Sequence, residues 1–106
     1  MARDADSLHN NLGPPTKLSR SVEYWIDTQR ALVVMRLGKM PDVTEIECYA
    51  RALRQDGRFK PTLAENVDLR NVEHLEMTLS QAIALADNAD PFAMNARRAF
   101  VVCSDY

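Results

Sequence analysis

Apolar and polar positions divide the chain into a patternless start and a strongly patterned remainder. Over residues 1–20 the large aliphatic side chains are Leu8, Leu12 and Leu18, and Asn10, Asn11, Gly13, Pro14 and Pro15 interrupt any periodicity. This stretch reads as a flexible N-terminal tail, with order beginning at Ser21. In Val22-Glu23-Tyr24-Trp25-Ile26-Asp27, residues Val22, Tyr24 and Ile26 alternate to one face, as in a strand. A polar break follows. The run from Ala31 to Leu37 is then apolar on both faces, which suits an interior strand and, with its predecessor, a hairpin.

Pro41 and Asp42 open a predicted helix. Asp42 with Glu45, or Thr44 with Glu47, has capping-box spacing, and Ile46, Tyr49, Ala50 and Leu53 recur as one stripe. Gly57 is expected to supply a left-handed exit. Leu63 to Leu69 reads as a third strand, with Leu63, Val67 and Leu69 on one face. Thr78 and Gln81 are spaced to cap a second helix with the stripe Leu79, Ala82, Ile83 and Ala86, ended by residues 88–91. Ala99 to Cys103 is a fourth, apolar strand. The predicted order is therefore β-β-α-β-α-β. The expected fold is one α/β domain over residues 21–106, an open mixed sheet with helices packed on it.

Composition narrows the function classes. A chain of 106 residues with 46% hydrophobic and 26% charged residues holds one globular core. A formal charge of -2 supplies no drive towards nucleic acid or anionic membrane, so neither is expected as a partner. No apolar run approaches the roughly 20 residues that span a bilayer, and the N-terminus lacks a signal-peptide core. Cys48 and Cys103 fall in segments read as helix and buried strand, which suggests reduced packing residues in a cytoplasmic protein.

Candidate chemistry is sparse. Asp68, Glu73 and Glu76 form the nearest approach to a carboxylate cluster, at the end of a strand where open α/β sheets gather ligands. No electrophile or cofactor motif accompanies them, so a solvated loop is the expectation and no catalytic residue is assigned. His74 stands with those acids, but His9 in the tail is the only other histidine, too little for a metal site. No cofactor is implied. Arg51, Arg54, Arg58 and Lys60 line the end of the first helix, where the helix dipole favours cations.

The order of elements, together with Val67-Asp68-Leu69-Arg70-Asn71-Val72-Glu73-His74-Leu75-Glu76-Met77-Thr78, resembles the STAS family of anti-sigma-factor antagonists and sulfate-transporter cytoplasmic domains. In that family an Asp-Leu-Ser/Arg-x-Val strand end leads to an Asp-Ser-Ser/Thr-Gly turn capping the next helix. The resemblance implies a non-catalytic protein-interaction or regulatory domain of a bacterial cytoplasmic protein, with an anti-sigma-type kinase as one partner class. It places the partner face on Arg70, His74, Glu76, Met77, Thr78 and Ser80. The departures are specific: Glu76 stands for the turn's Asp, Met77 for its phosphorylated Ser, Thr78 for the next hydroxyl and Leu79 for its Gly. A thioether accepts no phosphate, and Thr78 fits a helix N-cap better than a phosphosite. A small-ligand or lipid-binding domain, with its pocket at the strands' carboxyl ends, is the alternative. STAS domains continue past the strand matching Ala99 to Cys103. Its apolar faces therefore imply either a longer domain or cover by a second copy, a homodimer burying more than about 1,000 Å².

Overall fold

The computed structural model describes residues 12–74, 78, 80–81 and 90–102. Among the described residues five strands form one open mixed sheet: β1 (Thr16–Lys17), β2 (Val22–Asp27), β3 (Leu32–Leu37), β4 (Ala64–Asp68) and β5 (Arg98–Val101). Helix α1 (Val43–Gln55) lies in the connection between β3 and β4. Spatial order follows sequence order, with β1–β2 and β2–β3 antiparallel and β3–β4 and β4–β5 parallel. The second predicted helix falls mostly outside the described residues. Its start is described: Thr78 and Gln81 exchange backbone-to-side-chain hydrogen bonds, Thr78 N to Gln81 Oε1 at 2.9 Å and Gln81 N to Thr78 Oγ1 at 3.2 Å.

The sheet begins earlier than the hydrophobic pattern predicts. Thr16 and Lys17 pair with Tyr24 and Glu23, so the boundary at residue 20 is corrected: residues 12–20 belong to the fold. Two anchors hold this segment. The Trp25 indole donates to the Gly13 carbonyl at 2.9 Å, and Leu18 packs against the core. A two-residue strand is too short to show period-2 alternation, so the pattern could not disclose it.

The β2–β3 hairpin turns through residues 28–31. Asp27 Oδ1 accepts the amides of Gln29 and Arg30, each at 3.1 Å, which bends the chain as an Asx turn. Ala31 closes the loop at φ 54°, a left-handed conformation that its Cβ opposes.

Helix α1 forms where Asp42 provides the cap. Asp42 Oδ1 accepts Glu45 N at 2.9 Å and Glu45 Oε1 accepts Asp42 N at 3.1 Å, a reciprocal box that satisfies two otherwise orphaned amides. The helix buries Tyr49, Ala50 and Leu53 and half-buries Ile46. Its exit corrects the role expected of Gly57. Asp56 ends the helix in an extended conformation, φ -82° and ψ 120°, its amide donating to Leu53 O, and Gly13 is the one described glycine at positive φ. Cys48, expected to pack, is exposed on this helix.

The core lies between α1 and one face of the sheet. Val22 and Tyr24 of β2, Val33, Met35 and Leu37 of β3 and Val67 of β4 meet Tyr49 and Leu53, with Leu63 and Phe92 closing one end. Each such aliphatic side chain contributes about 1.5–3 kcal/mol on burial. The Phe59 and Phe92 rings meet edge-to-face at 5.2 Å. The last strand is the outer strand of the described sheet, with Phe100 and Val102 exposed, so its apolar side chains are left uncovered among the described residues.

Two outcomes test this fold. Deleting residues 1–18 is expected to cost at least about 2 kcal/mol in urea unfolding, from a hydrogen bond and a half-buried leucine. A loss below about 0.5 kcal/mol would contradict the docking of β1. Ala31→Gly removes a left-handed penalty of about 1–2 kcal/mol and adds a smaller unfolded-state entropy cost, so a net gain of about 0.5–1 kcal/mol is expected. Equal or lower stability than wild type would contradict the turn geometry.

Candidate functional site

Parallel pairing of β3 with β4 brings the carboxyl ends of both strands to one edge of the molecule, beside the start of α1. Three segments converge there. Gly38 leaves β3 with its amide donating to Ser21 O at 2.7 Å, which ties the end of β3 to the start of β2. A Cβ at Gly38 would lie 3.0 Å from Ser21 Cα and 3.2 Å from Arg20 O, tighter than ordinary Cβ contacts, so a larger residue there would push the two backbones apart by a few tenths of an ångström. The loop after β4 is then drawn across: the amides of Glu73 and His74 both donate to Lys39 O, at 2.9 and 3.0 Å.

Between these segments lies an open groove of about 1130 Å³, bounded by residues 19–21, the stretch from Gly38 to Glu45, and Arg70, Asn71 and Glu73. Its charged lining is mixed: Arg20, Lys39 and Arg70 against Asp42, Glu45 and Glu73. The carboxylates near α1 are already engaged. Besides capping Asp42, Glu45 accepts from Ser19 Oγ at 2.5 Å. Lys39 and Glu73 approach only to 4.0 Å, both well exposed, and contribute little to stability. Met40, 55% exposed, adds an apolar rim.

The structure sorts the predicted site residues. Arg70 lines the groove, but its guanidinium turns back in a two-pronged contact with buried Asp68, Nε to Oδ1 at 2.9 Å and Nη2 to Oδ2 at 2.7 Å. Asp68 also accepts Arg70 N at 3.1 Å, so one carboxylate fixes both the loop and its arginine. His74 is exposed and its backbone joins the loop to Lys39. Thr78 and Ser80 are exposed, with Thr78 capping Gln81, while Glu76 and Met77 lie outside the described residues. Of the three acids grouped by sequence, Asp68 is committed to Arg70, Glu73 faces Lys39, and Glu76 is not described. Among the described residues no group of three or more His, Cys, Asp or Glu is placed to hold a metal. No described helix is long and apolar enough to cross a membrane.

Ser19, Arg20, Ser21, Lys39 and Met40 were not legible as site residues. The one sequence signal was the isolated Gly38 following an interior strand, which marks close backbone approach.

A second polar cluster sits at the opposite ends of β4 and β5. Glu65, 7% exposed on the core face, accepts from Tyr49 Oη at 2.6 Å and pairs with Arg98 Nε at 3.4 Å. Arg98 also binds Asp90 and lies 4.9 Å from the centre of the Phe92 ring. Burial pushes the Glu65 carboxyl up, against the opposing pull of the Tyr49 hydrogen bond and Arg98. Burial likewise pushes the Tyr49 hydroxyl well up, reinforced by the carboxylate beside it. At the helix exit Asp56 runs the other way: the Arg58 guanidinium holds it below the usual carboxylate range, and Tyr24 Oη donates to it at 2.9 Å. Across the sheet's other face, Glu23 accepts from Arg36 Nε at 2.7 Å, and the Arg36 guanidinium lies 5.5 Å from the Trp25 ring centre.

No protein-family model matches the chain, and no curated protein or solved structure matches it either.

The elevated Glu65 pKa has a definite sign in stability. A carboxyl raised on folding adds stability below its unfolded pKa and loses it as pH rises through the folded value. Glu65→Gln mimics the protonated form, so its stability relative to wild type is expected to improve between about pH 4 and pH 7. Urea midpoints at both pH values measure this. A relative stability that falls over the interval would contradict the dominance of burial over the Arg98 pairing.

Proposed function

We propose that this chain is a non-catalytic binding domain of STAS-like character. It engages a protein partner, in a bacterial cytoplasm, through the groove at the carboxyl ends of β3 and β4. The observation that carries this proposal is the form of the groove, open and rimmed by charges of both signs with one exposed methionine. A small ligand is held mainly by apolar burial on most of its surface, in a cleft or cavity. A polypeptide instead needs an extended surface with scattered polar contacts and an apolar anchor. The groove offers these: Met40 is the anchor, and Arg20 and Lys39 are the cations on the rim.

Support also comes from how the surrounding charges are used. Asp68 is consumed in holding Arg70, and Asp42 and Glu45 in capping α1. These acids build the walls and carry no assigned step of chemistry. An anti-sigma-type kinase remains one partner class within this proposal. Thr78, engaged with Gln81, takes the role of a cap in it.

The test uses the full chain with a photo-crosslinking residue in place of Met40 and, separately, in place of exposed Gln55 at the far end of α1. A discrete protein adduct from position 40 alone is expected. The purified partner should then bind wild type and lose at least about tenfold in affinity, or 1.4 kcal/mol, to Arg20→Glu/Lys39→Glu. Adducts formed equally from both positions, or partner affinity indifferent to the double substitution, would contradict the proposal. A metabolite bound in the groove with no protein adduct would favour the small-ligand alternative.

A further inference from the structure

The two edges of the sheet are built differently. At one, β1 is only two residues long, and a very short edge strand offers little template for further pairing. At the other, β5 runs Arg98–Val101 as the outer described strand, and Phe100 and Val102 are 61% and 60% exposed. Phe100 is paired in register with core residue Val67, so its side chain stands on the same face as α1, at the margin of the core.

Backbone direction identifies which groups of β5 face away from β4. Arg97 O accepts from Glu65 N and Val101 O accepts from Leu69 N, so the carbonyls of residues 97 and 101 face β4. Alternation along the strand then turns the N–H and C=O groups of Arg98, Phe100 and Val102 to the outer edge. We propose that β5 pairs antiparallel with β5 of a second copy about a two-fold axis at Phe100, joining two sheets into one.

That register uses every outward group in the described segment. Phe100 faces the partner's Phe100, and Arg98 faces the partner's Val102 on either side of the axis. Each facing pair exchanges two N–H···O bonds, as residues in hydrogen-bonded antiparallel positions do. A two-fold axis makes the surface its own complement, which is why a second copy fits without any further sequence feature. The charge pattern agrees. The cation on this edge segment, Arg98, is neutralised within its own chain by Glu65 and Asp90. Its aliphatic stem is left to lie over the partner's Val102, and the two Arg98 side chains stand on opposite sides of the axis. The Phe100 rings meet at the centre, where aromatic side chains dominate association energetics. Both copies of α1 end on the same side of the joined sheet, and each groove stays at the carboxyl end of its own β3 and β4. Pairing at β5 therefore leaves partner binding at the groove unobstructed.

Light scattering on the purified full chain measures the mass directly. A value twice the 12.0 kDa chain mass is expected at micromolar concentration, with Phe100→Lys shifting the dissociation constant at least about 100-fold towards monomer. A second variant removes dependence on that substitution. Phe100→Cys in a Cys48→Ser/Cys103→Ser background should form an inter-chain disulfide on mild oxidation. Facing residues about 5.5 Å apart at Cα suit that bond. Gln55→Cys in the same background should not. A wild-type monomer at about 100 µM, a dimer unaffected by Phe100→Lys, or equal cross-linking from both cysteine positions would overturn the proposal.

Discussion

Everything in this domain hangs on β3 serving two ladders at once. Leu32–Leu37 pairs antiparallel with β2 on one side and parallel with β4 on the other. A strand so placed must be apolar on both faces, and it is: Val33 and Met35 meet α1 while Val34, 1% exposed, is buried on the opposite face. The parallel partner forces a crossover, which α1 supplies, and the crossover brings the end of β3, the start of α1 and the loop after β4 to one edge. The groove is therefore a consequence of mixed pairing around β3, and Gly38 is the point where β3 must come close enough to Ser21 for its walls to meet.

Charges inside the sheet are managed by pairing along or across strands. Glu23 and Arg36 face each other in the β2–β3 register and share Trp25 as a neighbour. Arg36 is in turn in register with Asp68, whose carboxylate holds Arg70. On the core face Glu65 reaches Tyr49 on the helix and Arg98 on the edge strand. Buried pairs of this kind offset their own desolvation more than they add to stability, but each is costly to break singly. They consequently fix register and loop path. Asn66 Oδ1, buried without a hydrogen-bond partner among the described residues, is the exception, and nothing in the described structure explains it.

The elements with a full period were legible in the sequence. Alternation in residues 22–27, the two-faced run ending at Leu37, the Asp42–Glu45 box and the Tyr49–Leu53 stripe each correspond to what forms, within a residue or so at their ends. What escaped was short or non-local. Thr16–Lys17 has no period to detect, and its place depends on Trp25 reaching back to Gly13. The carboxylate of Asp56 at the helix exit is engaged by Tyr24, 32 residues away, a partner that meets it only after folding. The apolar faces of the last strand were legible, and Phe100 and Val102 lie exposed on the outer described strand, but what covers such an edge depends on neighbours that a one-strand pattern does not contain. The site was partly legible for the same reason. The Asp68–Arg70 corner follows from one local segment, whereas residues 19–21 and Lys39 join it only through the β2–β3 pairing.

The central claim is that β3, Gly38 and the loop after β4 preform the groove. Amide hydrogen exchange on the free protein tests it most directly, at Gly38, Glu73 and His74, whose amides donate to Ser21 O and Lys39 O. Protection of all three, comparable to that of Met35 within β3 although Glu73 and His74 are exposed, is the predicted result. Exchange of Glu73 and His74 at the rate of an unstructured chain, with Met35 protected, would contradict it.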